Sequence, residues 1–278
     1  MSIYVIRIEC SDRPGLVHSI TGVLYKHGAN ILSNHEFVDA GSQHFFMRTA
    51  FECAQSPDGV VPAVRALLPE GATVGLASTG KRRIVVLATK ESHCLGDLLL
   101  RTAYEDFPAQ ILAVIANHAT LGPLVEKFGV PFHHVSHLDC ERAEHERKII
   151  ECVERYQPEY LVLAKYMRVL SPAFVARYPS RILNIHHSFL PAFMGAQPYR
   201  QAFERGVKLI GATGHMVTDE LDTGPIIVQS VVPVTHTATA AEMAQAGRDV
   251  EKIVLAKALK LLLEERIFLH NDRTIIFE

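Results

Sequence analysis

A break in rhythm at Ser78-Thr-Gly-Lys-Arg-Arg83 divides these 278 residues into two stretches that cannot share one fold. The break itself is short, polar and contains glycine, the composition of a boundary between domains. Before it the signals run strand, helix, strand, strand, helix, strand. After it, continuous apolar strands alternate with helices. The chain is long enough for one large domain or two smaller ones, and the two rhythms predict two, at residues 1–80 and 84–278.

In the first stretch Ile3–Cys10 alternates and is rich in β-branched residues, as a half-buried strand should be. Ser11-Asp12-Arg13-Pro14-Gly15 breaks it, and Leu16, Ile20, Val23 and Leu24 follow at helical spacing. Gly28 is a natural left-handed cap for that helix. Strand-like runs Ile31–Asp39 and His44–Cys53 are separated by Ala40-Gly41-Ser42; a short helix (Val60–Leu68) and a strand (Thr73–Leu76) complete the unit. That order predicts a ferredoxin-type α+β sandwich, an antiparallel sheet with both helices on one face. Asp12-Arg-Pro-Gly-Leu-Val17 followed by Gly28-Ala-Asn-Ile31 resembles an ACT domain, a small-molecule regulatory module. The resemblance implies an amino-acid effector site at a pair of such domains, with Asp12, Gly15, Asn30 and Ile31 as its candidates. Gly15 opens a helix whose free N–H groups could meet a carboxylate. Alternatively, Asp12 merely caps that helix and the domain serves only as a dimer interface. The family resemblance also implies glycine and methionine as opposing effectors, and a homo-oligomer, because ACT modules pair side by side.

Hydrophobic residues make up 48% of the chain and charged residues 21%, ordinary for a soluble protein with a core. The formal net charge of -2 leaves no basic footprint for nucleic acid. Apolar runs such as Ile84–Ala88 and Leu261–Leu263 are too short to cross a bilayer, and Met1–Cys10 carries Glu9 and alternates like a strand, unlike a signal peptide. The 5 cysteines (Cys10, Cys53, Cys94, Cys140, Cys152) form no C-x-x-C pair, which favours reduced thiols in the cytoplasm. Pro131-Phe-His-His-Val-Ser-His137 looks at first like a metal cluster. On a strand, however, His133 and His134 face opposite sides, so only His133 and His137 could converge. The expectation is exposed imidazoles at a strand end, with no metal.

In the second stretch Ile84–Thr89, Ile111–Asn117, Pro131–Val135, Tyr160–Ala164 and Ile182–Ile185 read as strands. Between them lie helical segments at Leu95–Tyr104, Leu121–Phe128, Glu141–Tyr156 and Pro172–Tyr178. Such alternation means βαβ units and a mostly parallel, Rossmann-like sheet, whose ligands gather beyond the carboxyl ends of the strands. One strand end carries Asn184-Ile-His186-His-Ser-Phe-Leu-Pro191. Alternation puts Asn184 and His186 on one face. An amide donor there suits a developing oxyanion, worth roughly 3 kcal/mol, and the imidazole can add a donor or handle a proton. Downstream, Gly211–Ile227 reads as strand, acidic turn, strand, with Gly224 shaping the return. Asp219, Glu220 and Asp222 crowd the turn, so an ionised one could orient His186 or a water.

Asn184-x-His186, the Ser-Phe-Leu-Pro turn and Leu221-Asp222-x-Gly224-Pro225-Ile226 together resemble the formyltransferase-fold family. That family includes glycinamide ribonucleotide and methionyl-tRNA formyltransferases and the folate deformylases. The resemblance implies Asn184, His186 and Asp222 as the catalytic trio. Lys165-Tyr-Met-Arg-Val-Leu-Ser-Pro172 is similar to the family's folate-pocket segment, which makes Met167, Arg168, Val169 and Leu170 pterin contacts, unless they simply enter a helix in the core. The loop with Thr218, Asp219, Glu220 and Gly224 would close the other side. Where the purine transformylase keeps a glycine-rich phosphate turn, this chain has Thr89-Lys-Glu-Ser-His-Cys-Leu-Gly96-Asp97. Bulky side chains and acids there speak against a phosphorylated acceptor. The doubled His186-His187, the phrase Gly195-Ala-Gln-Pro-Tyr199 and the fused ACT-like domain match the deformylase branch, and His187 itself either shapes the water site or simply packs. Gly214 and Met216 depart from it, standing where Ala and Tyr are expected. The implied reaction is hydrolysis of 10-formyltetrahydrofolate to formate and tetrahydrofolate, serving one-carbon metabolism and purine biosynthesis. The folate is the substrate and no prosthetic group is expected. Rival readings are formyl transfer to an amine acceptor and a catalytically silent folate or amino-acid sensor. Dinucleotide binding fails because no G-x-G-x-x-G follows the first strand of the second domain.

Overall fold

Strand β1 (Ser2–Ser11) turns Ile6, Ile8 and Cys10 to one face, where all three are buried. Helix α1 (Leu16–Lys26) lays Leu16, Ile20, Val23 and Leu24 against that face and ends before Gly28, whose φ of 70° is the left-handed cap expected of it. Strands β2 (Asn30–Asp39) and β3 (His44–Cys53), helix α2 (Val60–Arg65) and strand β4 (Thr73–Ser78) follow, and the antiparallel sheet runs β2-β3-β1-β4. Phe45, Met47 and Phe51 of β3 and Val60 and Val64 of α2 complete the core. Helix α2 is shorter than Val60–Leu68 because its last turn tightens: Leu67 N donates to Val64 O and Leu68 N to Arg65 O. The computed structural model describes residues 2–54, 56–104, 107–192 and 198–278, without the side chain of Pro198.

The chain divides into two units, the first Met1–Gly80 with Glu264–Phe268 and Ile275–Glu278, the second Lys81–Leu263 with Leu269–Thr274. The span 84–278 expected for the second domain therefore gives up Glu264–Phe268 and Ile275–Glu278 to the first. The cause lies in β3, which is buried on both faces. Opposite the helices, Phe46 packs on Phe268 at 5.6 Å, and the buried Arg48 donates to the backbone oxygens of Glu264 and Glu265 at 3.0 and 3.1 Å. On the same face Arg7 donates to Ile267 O at 2.6 Å and pairs with Glu265 at 2.8 Å.

The second unit runs β5 (Arg82–Ala88), α3 (His93–Ala103), β6 (Ala109–Ala116), α4 (Gly122–Glu126), β7 (Phe132–His134), α5 (Arg142–Glu154), β8 (Tyr160–Ala164), α6 (Pro172–Arg177) and β9 (Ile182–His186). Then come α7 (Pro198–Glu204), β10 (Leu209–Met216), β11 (Ile226–Pro233) and α8 (Ala240–Leu263); the chain ends in a hairpin of β12 (Ile267–His270) and β13 (Arg273–Ile276), whose residues are divided between the two units. The sheet order is β11-β10-β9-β8-β5-β6-β7; β9, β8, β5, β6 and β7 are parallel, and β10 and β11 run antiparallel at one edge. Ile84, Val85, Val86, Leu87 and Ala88 of β5 are all fully buried, as a strand covered on both faces must be. Strand order reverses between β5 and β8, the switch point where sheets of this class leave a crevice. Helix α8 has a sequence signature of its own. Thr239 and Glu242 form a reciprocal capping box, with Thr239 N on Glu242 Oε2 at 2.8 Å and Glu242 N on Thr239 Oγ1 at 3.2 Å. It also accounts for Gly214: a Cβ there would lie 2.8 Å from Ala258 Cβ on α8.

Candidate active site

Strand β9 delivers Asn184 and His186, and antiparallel pairing with β10 sets His215 opposite Asn184. His215 Nδ1 lies 2.9 Å from Met216 O. A carbonyl only accepts, so Nδ1 carries the hydrogen and Nε2 is left to accept from Asn184 Nδ2 at 3.1 Å. The amide is thereby fixed with its NH2 toward His215, leaving one further N–H to donate. Burial, together with the nearby His186, keeps His215 below its usual imidazole pKa, against the pull of Met216 O and Asp222.

Asp222 stands in the turn between β10 and β11 with a φ of 57°, and its Oδ1 lies 3.3 Å from His186 Nδ1 and 3.8 Å from His215 Nε2. Burial pushes its carboxyl pKa up, but the hydrogen bond and charge of His186, helped by His215 and His187, outweigh burial and hold it below the ordinary value. Among the described residues, His186 Nε2 is buried and meets no hydrogen-bond partner, which leaves it without the bond that buried polar atoms ordinarily make. His187, with its ring centroid 5.1 Å from that of His186, is lowered to about 4 by burial and then by Lys165 and His186.

These groups form the polar end of a cavity of about 360 Å³. One wall is the segment Tyr166–Leu170, the other Val217–Asp222. Of the residues expected in a folate pocket, Met167, Arg168, Val169, Leu170, Thr218, Asp219 and Glu220 all line it. Along the first wall Tyr166 and Leu170 are buried and belong to the core, while Met167 and Val169 are more than half exposed; part of the segment is thus core and part faces the ligand space. Thr89 Oγ1 accepts from Met167 N at 2.9 Å, Arg142 donates to Val169 O at 2.9 Å, and the carboxylate of Glu146 takes Ser171 N at 2.8 Å. Three anchors from outside the segment therefore fix its shape.

Gly224 does not line the cavity, contrary to expectation. A Cβ at that position would fall 1.8 Å from Met216 O, so the glycine permits a backbone crossing. The four effector candidates do not gather at one place within a single chain. Asn30 pairs across Glu52 with Ile3 at one end of the sheet, whereas Asp12 and Gly15 follow β1 at the other. Nine residues of strand separate them, roughly 30 Å, so they cannot meet within one chain. Asn30 Nδ2 donates to Glu52 at 2.8 Å, and among the described residues no side chain caps α1, which leaves the capping alternative for Asp12 without its bond. Of the histidines near β7, His134 is exposed as expected, whereas His133 and His137 are half-buried; His133 bonds the Tyr156 hydroxyl at 2.6 Å and His137 meets Asn117 at 3.3 Å. Gly195, Ala196 and Gln197 lie outside the described residues.

The sequence reading missed His215 as a lining residue, and it singled out neither Lys165 nor Leu221 within the segments that hold them. His215 carried a signal only through its pairing with Asn184, and that register is not written in either strand alone. Lys165, at a φ of 61°, turns back into the cavity from the end of β8.

The formyl transferase family model matches residues 82–259 and the ACT domain model residues 4–69. The formyltetrahydrofolate deformylase of Escherichia coli (strain K12) is 54% identical over 272 residues, covering 98% of this chain and 97% of that one. A solved formyltetrahydrofolate deformylase from Pseudomonas syringae pv. tomato superposes with a TM-score of 0.96 at 38% identity, over 100% of this chain and 95% of the other. A glycinamide ribonucleotide transformylase from Symbiobacterium toebii aligns with a TM-score of 0.69 at 31% identity, but over 73% of this chain and 98% of its own. The transformylase likeness covers only part of the chain; the deformylase likeness runs through both units and nearly end to end, and on it the chain belongs to the formyltetrahydrofolate deformylase family.

Proposed function

We propose that the chain hydrolyses 10-formyltetrahydrofolate to formate and tetrahydrofolate. The observation that carries this reading is the convergence of Asn184, His186 and Asp222 at one end of a cavity walled by Tyr166–Leu170 and Val217–Glu220. The pterin lies between Met167–Leu170 and Val217–Glu220, which sets the formyl carbon beside Asn184. Water attacks that carbon while His186 Nε2, its ring held by Asp222, takes the water's proton. The remaining N–H of Asn184 donates to the oxyanion. The intermediate collapses as the C–N10 bond breaks, N10 receives the proton from His186, and formate and tetrahydrofolate leave. The reaction draws on side chains and water alone and needs no prosthetic group.

The ACT unit regulates by binding an amino acid, glycine and methionine being the pair proposed. Because Asp12 and Asn30 stand at opposite ends of one sheet, a site using both requires a second copy of the chain. Edge strand β2 supports such pairing, since Leu32, Phe37 and Val38 on it are exposed. The products serve one-carbon metabolism and purine biosynthesis, and we place the reaction in the cytoplasm, in keeping with 5 unpaired cysteines. Incubating purified chain with 10-formyltetrahydrofolate and no amine, with and without glycine or methionine, tests the reading directly. Formate is expected at one equivalent per folate consumed; turnover that requires an amine acceptor would overturn it.

A further inference from the structure

One group of ionisable side chains in the second unit has no part in the hydrolysis. Glu251 on α8 is fully buried, yet three donors converge on its carboxylate. His93 Nε2 lies 2.7 Å and Lys165 Nζ 3.2 Å from Oε2, and the Tyr199 hydroxyl donates to Oε1 at 2.5 Å. Burial alone would raise the pKa of this carboxyl; the His93 bond, Lys165 and Tyr199 reverse that and hold it at about 2. The site is built to accommodate the contact. A Cβ on Gly247, one turn before Glu251, would lie 2.1 Å from the Tyr199 ring, so only glycine lets the ring rest on α8.

The location matters more than the contacts. His93 opens α3 just after β5, and Lys165 follows β8. These strands flank the point at which the sheet order reverses, where open α/β sheets take their ligands. An ammonium, an imidazole and a phenol hydroxyl are together a donor set suited to a phosphate or carboxylate. A metal ion is a poor tenant. His93, Cys94 and Glu251 have ligand atoms within 4.8 Å of one another, but Lys165 already holds the carboxylate, and burial with Glu251 nearby raises the Cys94 thiol far above its usual pKa.

We propose that Glu251 is a built-in anion: it fills a phosphate-type donor site at the switch point and keeps a phosphate-bearing acceptor out of the crevice beside the trio. The inference rests on the deformylase reading for its consequence, exclusion of acceptors, but not for its test. His187 links the two regions, its ring 5.1 Å from His186 and 6.4 Å from Tyr199, and Lys165 lines the same cavity as His186.

Calorimetric titration of the full chain with methyl phosphate decides the matter without relying on turnover. Glu251→Ala is expected to bind methyl phosphate at least about tenfold more tightly than the native chain. Adding Lys165→Met to it should abolish the gain. Should Glu251→Ala fail to fold, Glu251→Ser vacates the same space, removes the charge and carries the same expectation. A folded variant with no gain overturns the proposal, as does a gain that survives the loss of Lys165. Formate release by the native chain is measured separately, so a failed deformylase reading would be seen there and nowhere in the titration.

Discussion

Replacing Asp222 by Asn removes one charge and almost no volume, and asparagine tolerates the left-handed backbone that Asp222 adopts, φ 57°. In the reaction His186 becomes a cation when it takes the proton of the attacking water. Its Nδ1 is 3.3 Å from Asp222 Oδ1. At an effective dielectric near 20, a unit charge at that separation stabilises the cation by about 5 kcal/mol. The Asp222 side chain is 11% exposed, so solvent screens part of this and about 4 kcal/mol is a fair working figure. At 1.4 kcal/mol per decade, kcat should fall roughly 10³-fold. An amide can also present N–H to Nδ1 and trap the wrong tautomer, which pushes the loss in the same direction. KM should stay within about threefold, because the walls that hold the pterin are untouched. Initial rates of formate release give kcat and KM, and calorimetry with tetrahydrofolate checks that binding survives. A variant whose kcat stays within about tenfold of native, or whose loss appears in KM, would refute the charge-stabilisation argument.

Gly224→Ala should cost about 3 kcal/mol of stability in urea unfolding and lower kcat as well, since its Cβ would lie 1.8 Å from the Met216 carbonyl, two residues along the loop from Asp222. Stability should also fall as the solution is acidified. His187 has a pKa of about 4 in the fold against an ordinary 6.5, so between those values the unfolded chain binds a proton that the folded chain refuses, a loss of up to about 3 kcal/mol on going from pH 6.5 to pH 4. Glu251 acts in a lower window: its folded value of about 2 lies below the ordinary 4.5, so its contribution is complete above pH 4.5 and drains away as pH falls toward 2. Urea midpoints measured at stepped pH check both, and a His187→Gln variant should be flatter between pH 6.5 and 4.

Periodicity carried most of the fold. Leu16, Ile20, Val23 and Leu24 read as one face of a helix and are all buried on one. The apolar run Ile84–Ala88 reads as a strand covered on both sides and is one. What periodicity could not carry was the second face of β3, because Phe45-Phe46-Met47 announces burial on both sides without naming what covers it. The covering residues, Phe268 and Phe277, are more than two hundred positions away. In the site, Asn184 and His186 were legible because alternation alone puts them on one face. His215 was not, since its role comes from a cross-strand register with Asn184. Glu251 was hidden most completely: on a helix it reads as an ordinary acid, and only the packing of Tyr199 and Lys165 around it gives it meaning.

The third member of the trio reaches the site by a route that the sheet itself opposes. Strand β10 runs antiparallel to β9, so it leaves at the wrong end: Val217 N donates to Ile182 O at 2.9 Å, at the start of β9, while His186 is at its finish. Four residues of strand lie between them, roughly 13 Å. The chain must therefore double back along β9 before Asp222 can face His186. Two features turn it: the left-handed backbone at Asp222, and the crossing in which Gly224 passes over the Met216 carbonyl while Met216 N donates to Pro225 O at 3.0 Å. Strain of this kind persists only where surrounding bonds over-determine it, and here it is held between a hairpin on one side and the cavity on the other. The carboxylate is consequently placed by backbone geometry and not by packing of its own side chain. That is why substitutions at 222 and 224 should separate cleanly, the first removing chemistry from an intact loop and the second moving an intact carboxylate away from its imidazole.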